Sequence, residues 1–136
     1  MSGLRAPTSH RLVVRFAETD LMGIVHHSNY LQYFEAARVE WLKARGVAYD
    51  DWVRAGIHLP VVDAKLRYVR PAKFDDTLDV AARVAELTRV TVRFHYDITR
   101  DSDGAKICEG ETRLACVGHD LKPRRWPAEV ERLLSS

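Results

Sequence analysis

With 136 residues the chain is about one domain long, and 46% hydrophobic with 29% charged residues is ordinary globular usage that excludes a disordered polymer. Twenty-one basic against nineteen acidic side chains leave a net charge of +2, too mild for a nucleic-acid-binding stripe but compatible with a local patch for a small anion. No apolar run approaches the roughly 18 residues of a membrane helix, and the polar first ten residues lack the apolar stretch of a secretory signal, so the reading is a soluble cytoplasmic domain.

No repeat, low-complexity tract or Gly/Ser linker interrupts the chain, which predicts a single domain over residues 1–136. Residues 11–17 are expected to form the first strand, with Leu12, Val14 and Phe16 on one face by the two-residue period. A compact loop over residues 18–28 follows, with Gly23 as its turn residue. A helix then begins at Asn29, which with Gln32 has the spacing of a capping box. Tyr30, Phe34, Ala37 and Trp41 recur at helical spacing, flanked by Leu31 and Leu42. Lys43 and Arg45 suit the negative end of the helix dipole, and Gly46 supplies the stop. A second, shorter helix is expected over residues 49–55.

After Gly56 the period changes to alternation. Val62, Ala64, Leu66 and Tyr68 form one series, and Leu78, Val80, Ala82 and Val84 a second. Val90, Val92, Phe94, Tyr96 and Ile98 form the cleanest. Asp103-Gly104 is a hairpin signal leading into a strand over residues 105–117, and Pro127 opens a terminal helical turn through Leu134. One strand, one long apolar helix and then successive antiparallel strands, without βαβ units, predict an α+β fold.

The two cysteines, Cys108 and Cys116, share one predicted strand at on the order of 26 Å, beyond disulfide reach, and read as small buried apolar residues. The sequence contains no GxSxG, P-loop, GxGxxG or HExxH motif. Adjacent His26 and His27 do not share a helix face, and His10, His58, His95 and His119 show no ligand spacing. No metal and no cofactor is therefore expected, and His95 reads as a surface strand residue.

Chemistry-bearing residues concentrate in RFAETDLMGIVHHSNYLQYFEAARVE, from Arg15 to Glu40. Asp20 sits in a loop just before a helix N-terminus, whose free backbone N–H groups can hold an oxyanion. A carboxylate beside an oxyanion site is minimal equipment for hydrolysing an activated acyl group. The same placement suits an aspartate that only stabilises the Gly23 turn or the helix dipole, and spacing alone leaves both open.

The stretch ETDLMGIVHHSNYLQYFEAARVEWL, residues 18–42, resembles the hotdog-fold acyl-CoA thioesterases of the 4-hydroxybenzoyl-CoA thioesterase and YbgC type. A second similar stretch is RPAKFDDTLDV, residues 70–80, and the order of elements agrees along nearly the whole chain. The resemblance implies an antiparallel sheet wrapped around one long central helix. It also implies an acyl-CoA substrate, no cofactor, and homodimers that assemble into homotetramers with sites at the dimer interface. By the same resemblance Asp20 is the catalytic carboxylate, as nucleophile or general base, and the backbone N–H at His27 polarises the thioester carbonyl. Gly23, Asn29 and Tyr30 match substrate-binding positions, Arg89 matches a basic turn that contacts the coenzyme A nucleotide, and Thr91 matches a small hydroxyl position. The chain departs from the pattern at Phe16, where a tyrosine is frequent, and at Val90, which replaces a lysine. Arg70 and Lys73 could assist the nucleotide contacts or be plain surface charges. Glu35 and Glu40 read as structural or polar-pocket residues. Two competing readings are a non-catalytic acyl-CoA-binding or regulatory module and a hydratase or dehydratase on the same fold.

Overall fold

Alternation puts Leu78, Val80, Ala82 and Val84 on one side of a strand and Val92, Phe94, Tyr96 and Ile98 on one side of the next, and all of them are buried. In the computed structural model, which describes residues 7–136, these two strands lie inside a five-stranded antiparallel sheet. The first six residues of the polar N-terminal segment lie outside the described part. The strands are β1 (Thr8–Val13), β2 (Val61–Tyr68), β3 (Thr77–Leu87), β4 (Thr91–Arg100) and β5 (Lys106–Ala115), in the spatial order β1-β3-β4-β5-β2. The hairpin between β4 and β5 turns at Gly104, whose φ of 70° is in the region glycine adopts at little cost. The architecture is α+β, as the pattern predicted.

The aromatic stripe of α1 (Asn29–Lys43) explains how the helix meets the sheet. Phe34 stacks on Tyr96 of β4 with ring centroids 4.2 Å apart, and Trp41 meets Phe94 edge-on at 5.3 Å. Fully burying each such side chain contributes about 1.5–3 kcal/mol, so these rings anchor the helix. The approach needs a gap in the sheet. Gly110 of β5 supplies it, because a Cβ there would lie 2.8 Å from Phe34 Cε2 and 2.5 Å from the Lys65 carbonyl oxygen. Gly46, at φ 81°, ends the helical region as expected. The helices α2 (Tyr49–Arg54) and α3 (Ala128–Ser135) add Trp52, Val130 and Leu134 to the core.

Three local expectations are corrected. The first strand starts and ends earlier than residues 11–17, and Phe16 lies beyond it in a 3-10 turn (Phe16–Glu18), 75% exposed against the edge of Phe74. Asn29 is not a cap. Ser28 precedes the helix without a side-chain capping bond, and the Asn29 amide instead donates to the carbonyls of Glu18 and His26, which stitches the loop to the helix. Finally, β2 alternates in sequence but not in burial. As an edge strand it is paired to β5 alone, and Val61, Val62, Ala64 and Tyr68 are exposed.

Cys108 and Cys116 are buried free thiols. Among the described residues no helix is long and apolar enough to cross a membrane.

Candidate active site

The loop after β1 is built around Glu18. Its carboxylate accepts from the Arg15 backbone N–H at 2.9 Å, the Tyr33 hydroxyl at 2.9 Å and Arg15 Nε at 3.2 Å. Desolvation pushes this carboxyl up, but the hydrogen bonds from Arg15 and Tyr33 outweigh it and hold it below the ordinary range. The Glu18 carbonyl in turn accepts from the His26 N–H at 2.8 Å and the Asn29 amide at 2.9 Å. This single residue therefore ties the turn, the loop and the start of α1 together.

Within that frame the chain reverses tightly. Asp20 N–H donates to Ile24 O and Gly23 N–H to Asp20 O, each at 2.9 Å, with Gly23 at φ 79°. The Met22 N–H donates to Asp20 Oδ1 at 2.8 Å. That bond fixes the direction of the carboxylate while occupying one oxygen. Among the described residues Oδ2 has no hydrogen-bond partner.

Asp20, His27 and Tyr30 line one hollow of about 340 Å³ together with Ile24, Val25, Tyr68 and Arg70. Tyr68 reaches it from the last position of β2, its ring 5.4 Å from that of Tyr30 and 6.5 Å from that of His27. Burial pushes the Tyr30 phenol up to about 12, so it is a neutral hydroxyl at physiological pH. His27 lies two residues before the first residue of α1: its carbonyl accepts from Tyr30 N–H at 3.3 Å, whereas its own N–H has no acceptor among the described residues. A carboxylate oxygen and a spare backbone donor thus share one half-open hollow at a helix start.

The other expected site residues fall elsewhere. Gly23 shapes the Asp20 turn, and Asn29 braces it, without lining the hollow. Arg89 lies in the turn between β3 and β4 and lines a separate cleft of about 410 Å³ with Arg132 and Ser135 of α3. Thr91 locks that turn, its N–H donating to Thr88 Oγ1 at 2.9 Å. Glu35 and Glu40 line another cleft, about 710 Å³, along α1.

Sequence spacing missed Tyr68, which reads there only as one of the alternating apolar residues of β2. It also missed two histidine juxtapositions made by strand pairing. His95 and Asp97 of β4 meet Glu109 of β5 within 4.8 Å, with Lys106 bridging the two carboxylates, and His58 Nε2 lies 3.0 Å from His119 Nδ1.

Comparison with known proteins identifies the family. The model of the thioesterase-like superfamily matches residues 14–134. The chain is 29% identical to the acyl-CoA thioesterase YbgC of Haemophilus influenzae over 87% of each sequence. It superposes on the hypothetical protein TT1821 from Thermus thermophilus with a TM-score of 0.89 and 39% identity, covering 94% of this chain and 97% of that one. It also superposes on the DHNA-CoA thioesterase from Staphylococcus aureus with a TM-score of 0.90 and 28% identity, covering 95% and 89% respectively.

Proposed function

Because the chain belongs to the thioesterase-like superfamily and is a YbgC-like thioester hydrolase, we propose that it hydrolyses an acyl-CoA to a free carboxylic acid and coenzyme A, using Asp20 and the helix start at His27. The observation that carries this reading is the convergence of Asp20, His27 and Tyr30 on one hollow. The thioester carbonyl oxygen sits against the unpaired N–H of His27, which stabilises the negative charge that develops there. The Met22 N–H holds the Asp20 carboxylate in place through Oδ1, leaving Oδ2 for chemistry. Oδ2 either attacks the carbonyl carbon, expelling the coenzyme A thiolate and leaving a mixed anhydride for water to cleave, or takes a proton from an attacking water.

Single turnover in ¹⁸O-labelled water tests the reading and separates these routes. Thiol release with label in the Asp20 carboxylate identifies the nucleophile; where the label goes to the product acid alone, a rapid-quench search for acylated Asp20 separates water attack on the acyl carbon of the anhydride from the base route. Absence of thiol release across short, branched, aromatic and long acyl-CoAs overturns hydrolysis and leaves a binding module.

The same reading extends to assembly. The exposed edge of β2 is a pairing template, and this unpaired edge supports a dimer in which β2 of a second copy lies beside it, with tetramers formed from dimers. In that assembly the sheet wraps α1, Arg89 and Thr91 face the nucleotide of coenzyme A, and the protein works in the cytoplasm.

A further inference from the structure

Backbone pairing brings together two histidines that lie 61 residues apart in the chain. His58 sits in the connection from α2 to β2, and His119 in the loop after β5. The His58 N–H donates to Val117 O at 2.9 Å and the Val117 N–H to His58 O at 3.0 Å, which ties the two segments together. A tight turn then carries His119 over the connection, with Gly118 N–H donating to Lys122 O at 3.0 Å and Leu121 at φ 63°. The His119 ring rests on Gly56, where a Cβ would meet it at 3.4 Å.

His58 Nε2 lies 3.0 Å from His119 Nδ1 while the ring centroids are 5.0 Å apart, so these two nitrogens face one another. A hydrogen bond between them needs one nitrogen protonated and the other bare. With the proton on the far nitrogen of each ring, both lone pairs face one gap. An ion bound at about 2.0–2.1 Å from two imidazole nitrogens holds them about 2.9–3.4 Å apart, from right-angled to tetrahedral coordination. The observed spacing falls inside that range. Among the described residues neither ring has another hydrogen-bond partner. Arg124, whose Nη1 donates to Gly56 O at 3.2 Å, flanks the same glycine and opposes a cation, which keeps the affinity modest.

A second group of ligating side chains is less suited. His95, Asp97 and Glu109 gather within 4.8 Å, but the Lys106 ammonium already bridges Asp97 at 3.3 Å and Glu109 at 3.0 Å, where a metal would have to sit.

We propose that His58 and His119 bind one exchangeable transition-metal ion of the zinc, nickel or copper class, which replaces the proton between them and clasps the entry to β2 to the exit of β5. Imidazole favours these ions over magnesium or calcium. Neither histidine lines the Asp20 hollow, so the ion fastens the fold and takes no part in the proposed hydrolysis.

The test titrates the tag-free full chain, first stripped with a chelator, with zinc chloride by calorimetry near neutral pH, and with magnesium chloride as the contrast. Wild type is expected to bind one zinc per chain and no magnesium. At 100-fold its Kd, zinc should raise the thermal midpoint by about 5 °C or more. His58→Gln and His119→Gln should each weaken zinc binding by at least the roughly tenfold that outer-shell changes cost, and should lose the rise in midpoint. His95→Gln should keep both. Imidazole ¹⁵N spectra of wild type give a readout that needs no variant to fold: zinc should shift Nε2 of His58 and Nδ1 of His119. Absence of stoichiometric zinc binding overturns the site, as do shifts confined to other histidines. Wild-type affinity in both His58→Gln and His119→Gln overturns it too, and loss of binding in His95→Gln alone moves the ion to the other cluster.

Discussion

The Tyr33 hydroxyl donates to Glu18 Oε1 at 2.9 Å, joining the buried face of α1 to the loop that carries Asp20. Glu18 is held below its ordinary 4.5 even though desolvation acts the other way, because Arg15 and Tyr33 favour the carboxylate. A carboxyl depressed in the folded state adds stability that is complete above its unfolded value and is lost as pH falls through the folded one. The thermal midpoint of wild type should therefore drop below roughly pH 4.5 more steeply than that of Glu18→Gln, which keeps an acceptor for Tyr33 but has no charge to lose. Parallel acid profiles would show that Glu18 is not coupled to folding.

Asp20→Asn should lower kcat by roughly 10²–10⁴-fold, the range for a positioned acid–base group. The amide oxygen can still accept from the Met22 N–H, so the thermal midpoint should stay close to wild type. Near-normal thiol release from the variant would remove Asp20 from the chemistry. A collapsed midpoint would make it a turn stabiliser.

Arg89→Ala should raise KM for acyl-CoA with little change in kcat, the signature of lost uniform binding. Added salt should weaken wild type more than the variant, because an exposed charge contact is screened. Equal salt dependence would return Arg89 to the ordinary surface.

Gly110→Ala tests the closeness of α1 to the sheet. The new methyl would collide with the Phe34 ring at 2.8 Å and the Lys65 carbonyl at 2.5 Å, and the latter is backbone that cannot swing away. A loss of about 1–3 kcal/mol or more is expected from such overpacking, read as a lowered midpoint in chemical or thermal unfolding. An unchanged midpoint would mean that helix and sheet separate easily.

Legibility in the sequence followed the range of the physical cause. Tyr30, Phe34, Ala37 and Trp41 declared α1, and Val92, Phe94, Tyr96 and Ile98 declared β4, because burial of one face imposes a period on neighbouring residues. The same logic misread β2. Its alternation promised an inward face, but a strand at the sheet edge has one neighbour, and of its apolar series only Leu66 is even partly buried. The capping box at Asn29 failed because two nearby carbonyls, Glu18 O and His26 O, compete for its amide. Asp20, His27 and Tyr30 entered as a group through the resemblance of residues 18–42, one continuous stretch whose spacing alone left Asp20 open as a plain turn residue, and the fold brings the three to one hollow. Tyr68 joins them, and Tyr96 joins Arg38, only through the packing of α1 and its preceding loop against distant strands, which local spacing does not encode.

The two buried cysteines bear on how this enzyme can be watched. Cys108 is fully shielded and burial pushes its thiol up to about 12, while burial raises Cys116 as well. Only a thiolate reacts readily with disulfide reagents, so the native protein is silent to them. A colorimetric thiol reagent added to the reaction then counts coenzyme A alone, with no background from the catalyst. Slow extra colour from a sample without substrate would report global opening of the fold, giving one cuvette two signals separated by their rates.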